Sequence, residues 1–266
     1  MIYSTIKTLL STSNLYRREK ERFKSLKILL LCMEISKDIA IIDLALYLKK
    51  YKTLVISDCH IGFEEALNKQ GVLIPRFQFK EIIDRLTEIL KKVNPETIII
   101  NGDVKHEFGT ISKQEWRQTL QLIDFLSKHC KRLILIRGNH DKILGPIADK
   151  RKITIADNVL LEDILITHGH KLVKSLKGIK TIIIGHEHPA IGLRDNAKVE
   201  TYKCFLKGTF ERRTLIVMPS FNFITQGTDL SKEKLISPYL KKFIGNFYCF
   251  VVEDKIYDFG MLKNLG

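Results

Sequence analysis

Five short apolar runs in this 266-residue chain each stop at a side chain able to bind a metal. Thr53-Leu54-Val55-Ile56-Ser57 ends in Asp58-Cys59-His60, and Thr97-Ile98-Ile99-Ile100 ends in Asn101-Gly102-Asp103-Val104-Lys105-His106. Leu133-Ile134-Leu135-Ile136 runs into Arg137-Gly138-Asn139-His140-Asp141. Ile164-Leu165-Ile166-Thr167 stops at His168-Gly169-His170, and Thr181-Ile182-Ile183-Ile184 at Gly185-His186-Glu187-His188. β-Branched runs of this length, bounded by turn residues, predict buried strands. In open α/β sheets, ligands collect outside the carboxyl ends of the strands. A fold that buries all five runs therefore delivers carboxylates, imidazoles and an amide to one sheet edge. A single D-x-H or G-D would carry little weight; five such endings do.

Side chains alternate with period two along a strand, so Asp58 and His60 are expected on one side, as are His186 and His188. Only His168 directly follows its strand, which makes His170 the expected bystander. Gly138 allows a sharp turn, after which Asn139 offers an amide oxygen and His140 is free to face a substrate.

Between the strands, residues 77–93 carry Phe79, Ile82, Ile83, Leu86, Ile89 and Leu90 at helical spacing, closed by Pro95. A second helix is predicted over 112–129, with Ser112 as N-cap and Glu115 three residues on. Both helices are core elements. His129 is expected to complement the dipole at a helix end, and Arg76 to be a surface arginine. From Ile191 the chain is strand-rich. Residues 213–218 lead into Pro219-Ser220-Phe221-Asn222, 247–252 and 255–259 suggest a hairpin, and 233–243 a short basic surface helix broken at Pro238. Strands alternate with helices in the first half and with turns in the second. The fold class expected is α/β, a two-sheet sandwich with helices outside.

The net charge is +14, to which residues 1–32 contribute +5 through seven Lys/Arg against Glu19 and Glu21. A basic body suits a polyanion such as nucleic acid, but these lysines are scattered rather than striped, and a solvated surface explains them equally well. Residues 1–32 stand apart, with the charge run Arg17-Arg18-Glu19-Lys20-Glu21-Arg22 and with Met33 just ahead of the first orderly strand pattern, Ile39-Ala40-Ile41-Ile42-Asp43. They are expected to be a dispensable, disordered or non-native extension, leaving one domain over 33–266. The five cysteines are odd in number and lack paired spacing, which speaks against a disulfide framework and for a cytoplasmic setting. No run approaches the ~20 apolar residues of a membrane span, and residues 26–32 are too short for a signal peptide, so no membrane partner is expected.

Taken together, Asp58-x-His60, Gly102-Asp103-x-x-His106, Gly138-Asn139-His140-Asp141, Thr167-His168-Gly169-His170 and Gly185-His186-x-His188 resemble, in order, the motifs of the calcineurin-like metallophosphoesterase superfamily. The strings around Asp58 and Asp103, with Pro219-Ser220-Phe221-Asn222, resemble its ICC-like, SbcD-related archaeal and bacterial members. The resemblance implies an α/β/β/α sandwich and a phosphoesterase with two divalent metals. Asp58, His60 and His188 would hold the first, Asn139, His168 and His186 the second, and Asp103 both. Mixed oxygen and nitrogen donors suit Mn foremost, with Fe, Zn and Ni open. Such a pair activates a shared hydroxide and clamps phosphoryl oxygens. His140 would act as acid for the leaving oxygen, with His106 and Asp141 as its neighbours in catalysis. Asp141 would orient His140, or His106 would face the substrate, because the aspartate and arginine of the protein serine/threonine phosphatases are replaced here by His106 and Glu107. Met218-Pro219-Ser220 departs from the usual Asn-Pro-Gly-Ser ending. The substrate expected is a phosphodiester. Nucleic acid, a cyclic nucleotide or another small diester, and a non-catalytic binding role all stay open, as does the oligomeric state.

Overall fold

The computed structural model describes residues 32–107, 112–141, 151, 153–195, 198–230, 232–241 and 244–265. The extension expected over 1–32 lies outside them, save Cys32, which opens the first strand. The first sheet runs β1 (Cys32–Ser36), β2 (Ile39–Ile42), β3 (Ala45–Leu48), β4 (Thr53–Ile56), β5 (Thr97–Asn101), β6 (Arg132–Ile136) and β7 (Thr154–Ala156), in that spatial order. β1 to β4 are antiparallel neighbours, whereas β4, β5, β6 and β7 are parallel. Parallel strands covered on both faces read as continuous apolar runs, which is why Ile98, Ile99 and Ile100 are all fully buried.

Helices α1 (Phe63–Lys69), α2 (Gln78–Leu90) and α3 (Lys113–Ser127) lie between these strands in sequence. Ile82, Leu86 and Ile89 of α2 and Leu122, Ile123 and Leu126 of α3 recur at helical spacing and pack into the same core as β4 and β5. Ser112 caps α3 by accepting the Glu115 N–H at 3.0 Å. His129 follows α3 and sets its Nδ1 2.8 Å from the Phe125 carbonyl, an end-of-helix contact.

The second sheet contains β8 (Asn158–Leu161), β9 (Ile164–Thr167), β10 (Thr181–Ile184), β11 (Pro189–Asp195), β12 (Lys198–Phe210), β13 (Arg213–Val217), β14 (Thr228–Asp229), β15 (Tyr248–Val252) and β16 (Ile256–Met261). β9, β10 and β13 are parallel. Their residues alternate: Ile166, Ile183 and Ile216 face the first sheet, while Leu165, Ile182, Ile184, Leu215 and Val217 face outward. Tyr239, Leu240 and Phe247 cover that outer face. The surface helix expected over 233–243 is therefore corrected. Within its described residues the chain makes one 3-10 turn, Pro238–Leu240, and buries Tyr239 and Leu240 instead of presenting a basic face. The whole is the α/β two-sheet sandwich expected. No helix among the described residues is long and apolar enough to cross a membrane.

Candidate metal centre

β4, β5 and β6 end on one edge of the first sheet and β9 and β10 on the adjoining edge of the second, and backbone bonds tie neighbouring strand ends within each sheet. The Asp58 N–H donates to the Gly102 carbonyl at 3.2 Å, and the His60 N–H to the Asp103 carbonyl at 2.9 Å. The Gly185 N–H reaches the His168 carbonyl at 3.0 Å. β4 stops at Ile56 and β10 at Ile184, so Asp58, His60, His186 and His188 lie beyond the strands. Strand alternation is not what aims them. Asp58, His60, Asp103, His186 and His188 all sit in the left-handed region, with φ of 56°, 44°, 45°, 65° and 50°. That conformation is disfavoured for residues with a Cβ and is retained where surrounding structure imposes it.

The turns bring donor atoms together in three groups, each with all atoms within 4.8 Å of one another: Asp58, His60 and His188; Asp103, His168 and His186; and His60, His106 and His140. His186 and His188, expected side by side, therefore serve different groups. Asn139 joins the second, its Oδ1 3.0 Å from His168 Nε2. Asp103 lies between. Its Oδ1 accepts the His140 N–H at 2.9 Å, and its Oδ2 faces His168 Nε2 at 3.3 Å and both His60 and His140 Nε2 at 3.9 Å. Asp58, Asp103 and His168 are at most 1% exposed.

These residues fit a pair of cations. Asp58 Oδ2 is engaged by the Ser57 hydroxyl at 2.6 Å and the His186 N–H at 3.0 Å. Its Oδ1 is buried without a hydrogen bond and points toward His188 Nε2 at 3.3 Å. His168 Nδ1 lies 3.2 Å from the Asn101 carbonyl, which fixes the N–H there and turns the Nε2 lone pair toward two oxygens. Metal-binding histidines are oriented in this way. Electrostatics agree. Burial works to raise the Asp58 carboxyl, but His188 and His168 hold it below the ordinary range. Burial likewise opposes charge on His168, yet Asp58 and Asp103 raise it to about 9. The two carboxylates call for positive charge at this point. His60 is pushed down to about 3 and His186 to about 4, burial leading in both.

His140 is fixed at its backbone N–H by Asp103, while its ring Nδ1 contacts the His106 carbonyl oxygen, leaving Nε2 toward Asp103. Asp141 is one of the two residues expected to act beside His140. Its carboxylate is occupied by the Gly138 N–H at 3.0 Å and the Val104 N–H at 3.2 Å, so Asp141 binds the two loops together. Burial and the nearby Asp103 charge raise its carboxyl to about 6. The His106 ring stacks on Phe63, with centroids 4.1 Å apart, and burial lowers it to about 4. His170, the expected bystander, belongs to none of the three groups but keeps its ring 5.2 Å from that of His168. Arg76 is exposed.

Several supporting residues escaped sequence reasoning. Glu115, identified only as a helix-start residue, accepts the His106 and Glu107 N–H groups at 2.9 Å. Buried Glu187 accepts from Ser237 N–H at 2.8 Å. The Pro219–Asn222 turn braces the Asp58 loop: the Phe221 N–H donates to the Ser57 carbonyl at 2.7 Å and the Asn222 amide to the Cys59 carbonyl at 3.4 Å. Lys203 holds that turn through Ser220 Oγ at 2.7 Å. Charged residues inside apolar flanks were the available signal, since burying them requires partners.

Fold and site together define an α/β sandwich with a histidine–carboxylate centre at the strand ends. The calcineurin-like phosphoesterase profile matches residues 51–208, more than half of the chain, and the chain belongs to that family. Its site is accordingly that of a metal-dependent hydrolase of phosphoesters. Among solved structures, it is similar to Pseudomonas putida nuclease MPE, at 19% identity over 86% of this chain and 99% of that one, with a TM-score of 0.62. The E. coli phosphoesterase Yfce matches at 14% identity over 80% and 94% of the two chains, with a TM-score of 0.36. No curated protein matches the chain.

Proposed function

We propose that the protein is a two-metal phosphodiesterase. The observation that supports it most is the position of Asp103 Oδ2, which faces the rings of His60, His140 and His168 between the two donor groups. Asp58, His60 and His188 would hold one ion, Asn139, His168 and His186 the other, and Asp103 both; Mn leads the candidates. When bound, such a pair activates water and neutralises phosphoryl oxygens. The chain's own residues do the rest. With an N–H at Nδ1 toward the His106 carbonyl, the His140 ring turns Nε2 inward, and as an imidazolium it would give its Nε2 proton to the leaving oxygen. His106, rigid against Phe63, flanks it.

The body's positive charge supports nucleic acid as the polymeric form of that diester, and the nuclease described for the P. putida protein of like fold is consistent with it. A cyclic nucleotide is the alternative substrate. The test is a panel with Mn²⁺: bis-p-nitrophenyl phosphate, p-nitrophenyl phosphate, cyclic nucleotides, and single- and double-stranded DNA. Diester turnover above monoester turnover is expected. Retention of DNA by the His140→Asn form should fall steeply with salt through counterion release. Salt-insensitive behaviour with good small-diester turnover would select the cyclic-nucleotide class, and no turnover at all would leave a binding module.

A further inference from the structure

Lys105 is fully buried between two residues of the centre and, with Phe205 and Phe221, is one of the largest side chains in that state among the described residues. It lies where the loop after β5 runs beside the loop after β4, in an isolated bridge to Ile61. Its ammonium donates to the His140 carbonyl at 2.7 Å and to the Glu107 carbonyl. Among the described residues no carboxylate lies within 4 Å of it. Taking an ammonium out of water costs several kcal/mol, and two neutral carbonyls offset only part of that. An apolar side chain of the same length would fill the space more cheaply. A residue that is costly where it stands points to something that only the charge provides.

The neighbours show what that is. His140 is held at three atoms: its N–H by Asp103, its ring by the His106 carbonyl, and its own carbonyl by Lys105. The loops themselves have other ties, since Asp141 binds Gly138 and Val104, and Glu115 binds His106 and Glu107. Removing the ammonium therefore leaves the loops joined and the donor groups in place, but takes away the anchor of the His140 carbonyl. We propose that Lys105 is a positioning residue that sets the aim of His140 Nε2 toward the leaving oxygen of the substrate. The inference rests on the role assigned to His140 above.

The experiment compares Lys105→Met, His140→Asn and the double variant, each loaded with Mn²⁺. The substrates are bis-p-nitrophenyl phosphate and diphenyl phosphate, whose phenolate leaves less readily. For Lys105→Met, kcat on diphenyl phosphate should fall by about tenfold or more, the scale of a slightly displaced catalytic group. The loss on the nitrophenyl ester should be smaller, with KM within about twofold for both. Bound manganese should match the parent and the melting midpoint should not fall. In the His140→Asn background the Lys105 change should add no further loss, because it acts through a ring already gone. Equal losses on the two esters, or additive losses in the double variant, would overturn the inference. So would loss of manganese or of cooperative melting in both Lys105→Met and Lys105→Gln, which would make the ammonium a structural strut. A parent chain without metal-dependent turnover of any ester overturns the assignment of His140, and this inference with it. An active parent whose Lys105→Met form is unimpaired overturns this inference alone.

Discussion

Gly102→Ala should disable the second metal group without touching a ligand. Gly102 has φ +83°, and a Cβ built there lies 2.1 Å from His168 Nδ1 and 2.5 Å from its Cγ. That ring cannot yield, being fully buried, tied by Nδ1 to the Asn101 carbonyl and set by Nε2 against Asn139 and Asp103. The substitution costs about 1–2 kcal/mol for the left-handed backbone. Overlap in a packed interior adds about 1–3 kcal/mol. Gly71→Ala isolates the first cost, because Gly71 has φ +87° with nothing within 4 Å of its Cβ. At about 2–4 °C per kcal/mol for a chain of this size, Gly71→Ala should lower the melting midpoint by several degrees and Gly102→Ala by about twice that or more. Manganese bound after equilibration, counted by mass spectrometry of metals, should fall from about two equivalents toward about one in Gly102→Ala and stay unchanged in Gly71→Ala. If both variants melt alike and hold the same metal, the His168 packing argued here is wrong.

Asp103→Asn should be the most damaging conservative change. It weakens the donor shared between both groups, and metal content below the parent's is the check. His140→Asn should keep its metals while turnover drops by about 10²-fold or more, less with a nitrophenolate leaving group, because His140 stands beside the metal donors; metal loss would mean ligand and acid have been confused. Lys203→Met should alter how stability depends on pH. Burial lowers the Lys203 amine from 10.5 to about 7, so between those pH values the unfolded chain holds a proton that the folded chain releases. Stability of the metal-free parent should therefore rise by about 2 kcal/mol from pH 7 to pH 9 relative to Lys203→Met, measured by urea unfolding. Parallel curves for the two would contradict the burial cost.

The sheet edge and its candidate ligands were legible because a buried parallel strand is a local pattern, and a Gly-Asp or Gly-His ending can be seen without knowing what lies beside it. How the ligands converge was not. Period-two alternation put Asp58 beside His60 for the wrong reason, because neither residue is in a strand; tertiary contacts hold both at positive φ. It also set His186 and His188 on one side, whereas they stand in different donor groups, the division that the family resemblance implied. The helix α1 left no readable stripe, since its seven residues bury only Glu64 and Ala66. The turn at 238–240 looked like a basic helix because lysines surround it, while its fate was decided by the apolar outer face of β9, β10 and β13, which needed Tyr239 and Leu240.

Loops this strained need support that does not depend on the ions, and buried carboxylates supply it. Asp141 gathers the amides of Gly138 and Val104, Glu115 those of His106 and Glu107, Glu187 that of Ser237, and Glu64 those of Phe77 and Gln78. Each ties one irregular segment to another where no sheet ladder can reach, satisfying amides that would otherwise be buried unpaired. A hydrogen bond to a charged acceptor is roughly twice as strong as a neutral one, so a few suffice to hold left-handed turns. Asp58 and Asp103 follow the same plan with one difference. Each gives one oxygen to a backbone amide, of His186 and His140 respectively, and turns the other toward imidazole nitrogens. Asp141 spends both oxygens on amides, and Glu115 and Glu64 each bond two amides through one oxygen; Asp58 and Asp103 differ in turning their second oxygen to imidazoles at the meeting point of the strand ends. That division separates loop-fastening acids from the proposed metal ligands within one centre, and it rests on hydrogen-bond partners rather than on residue type.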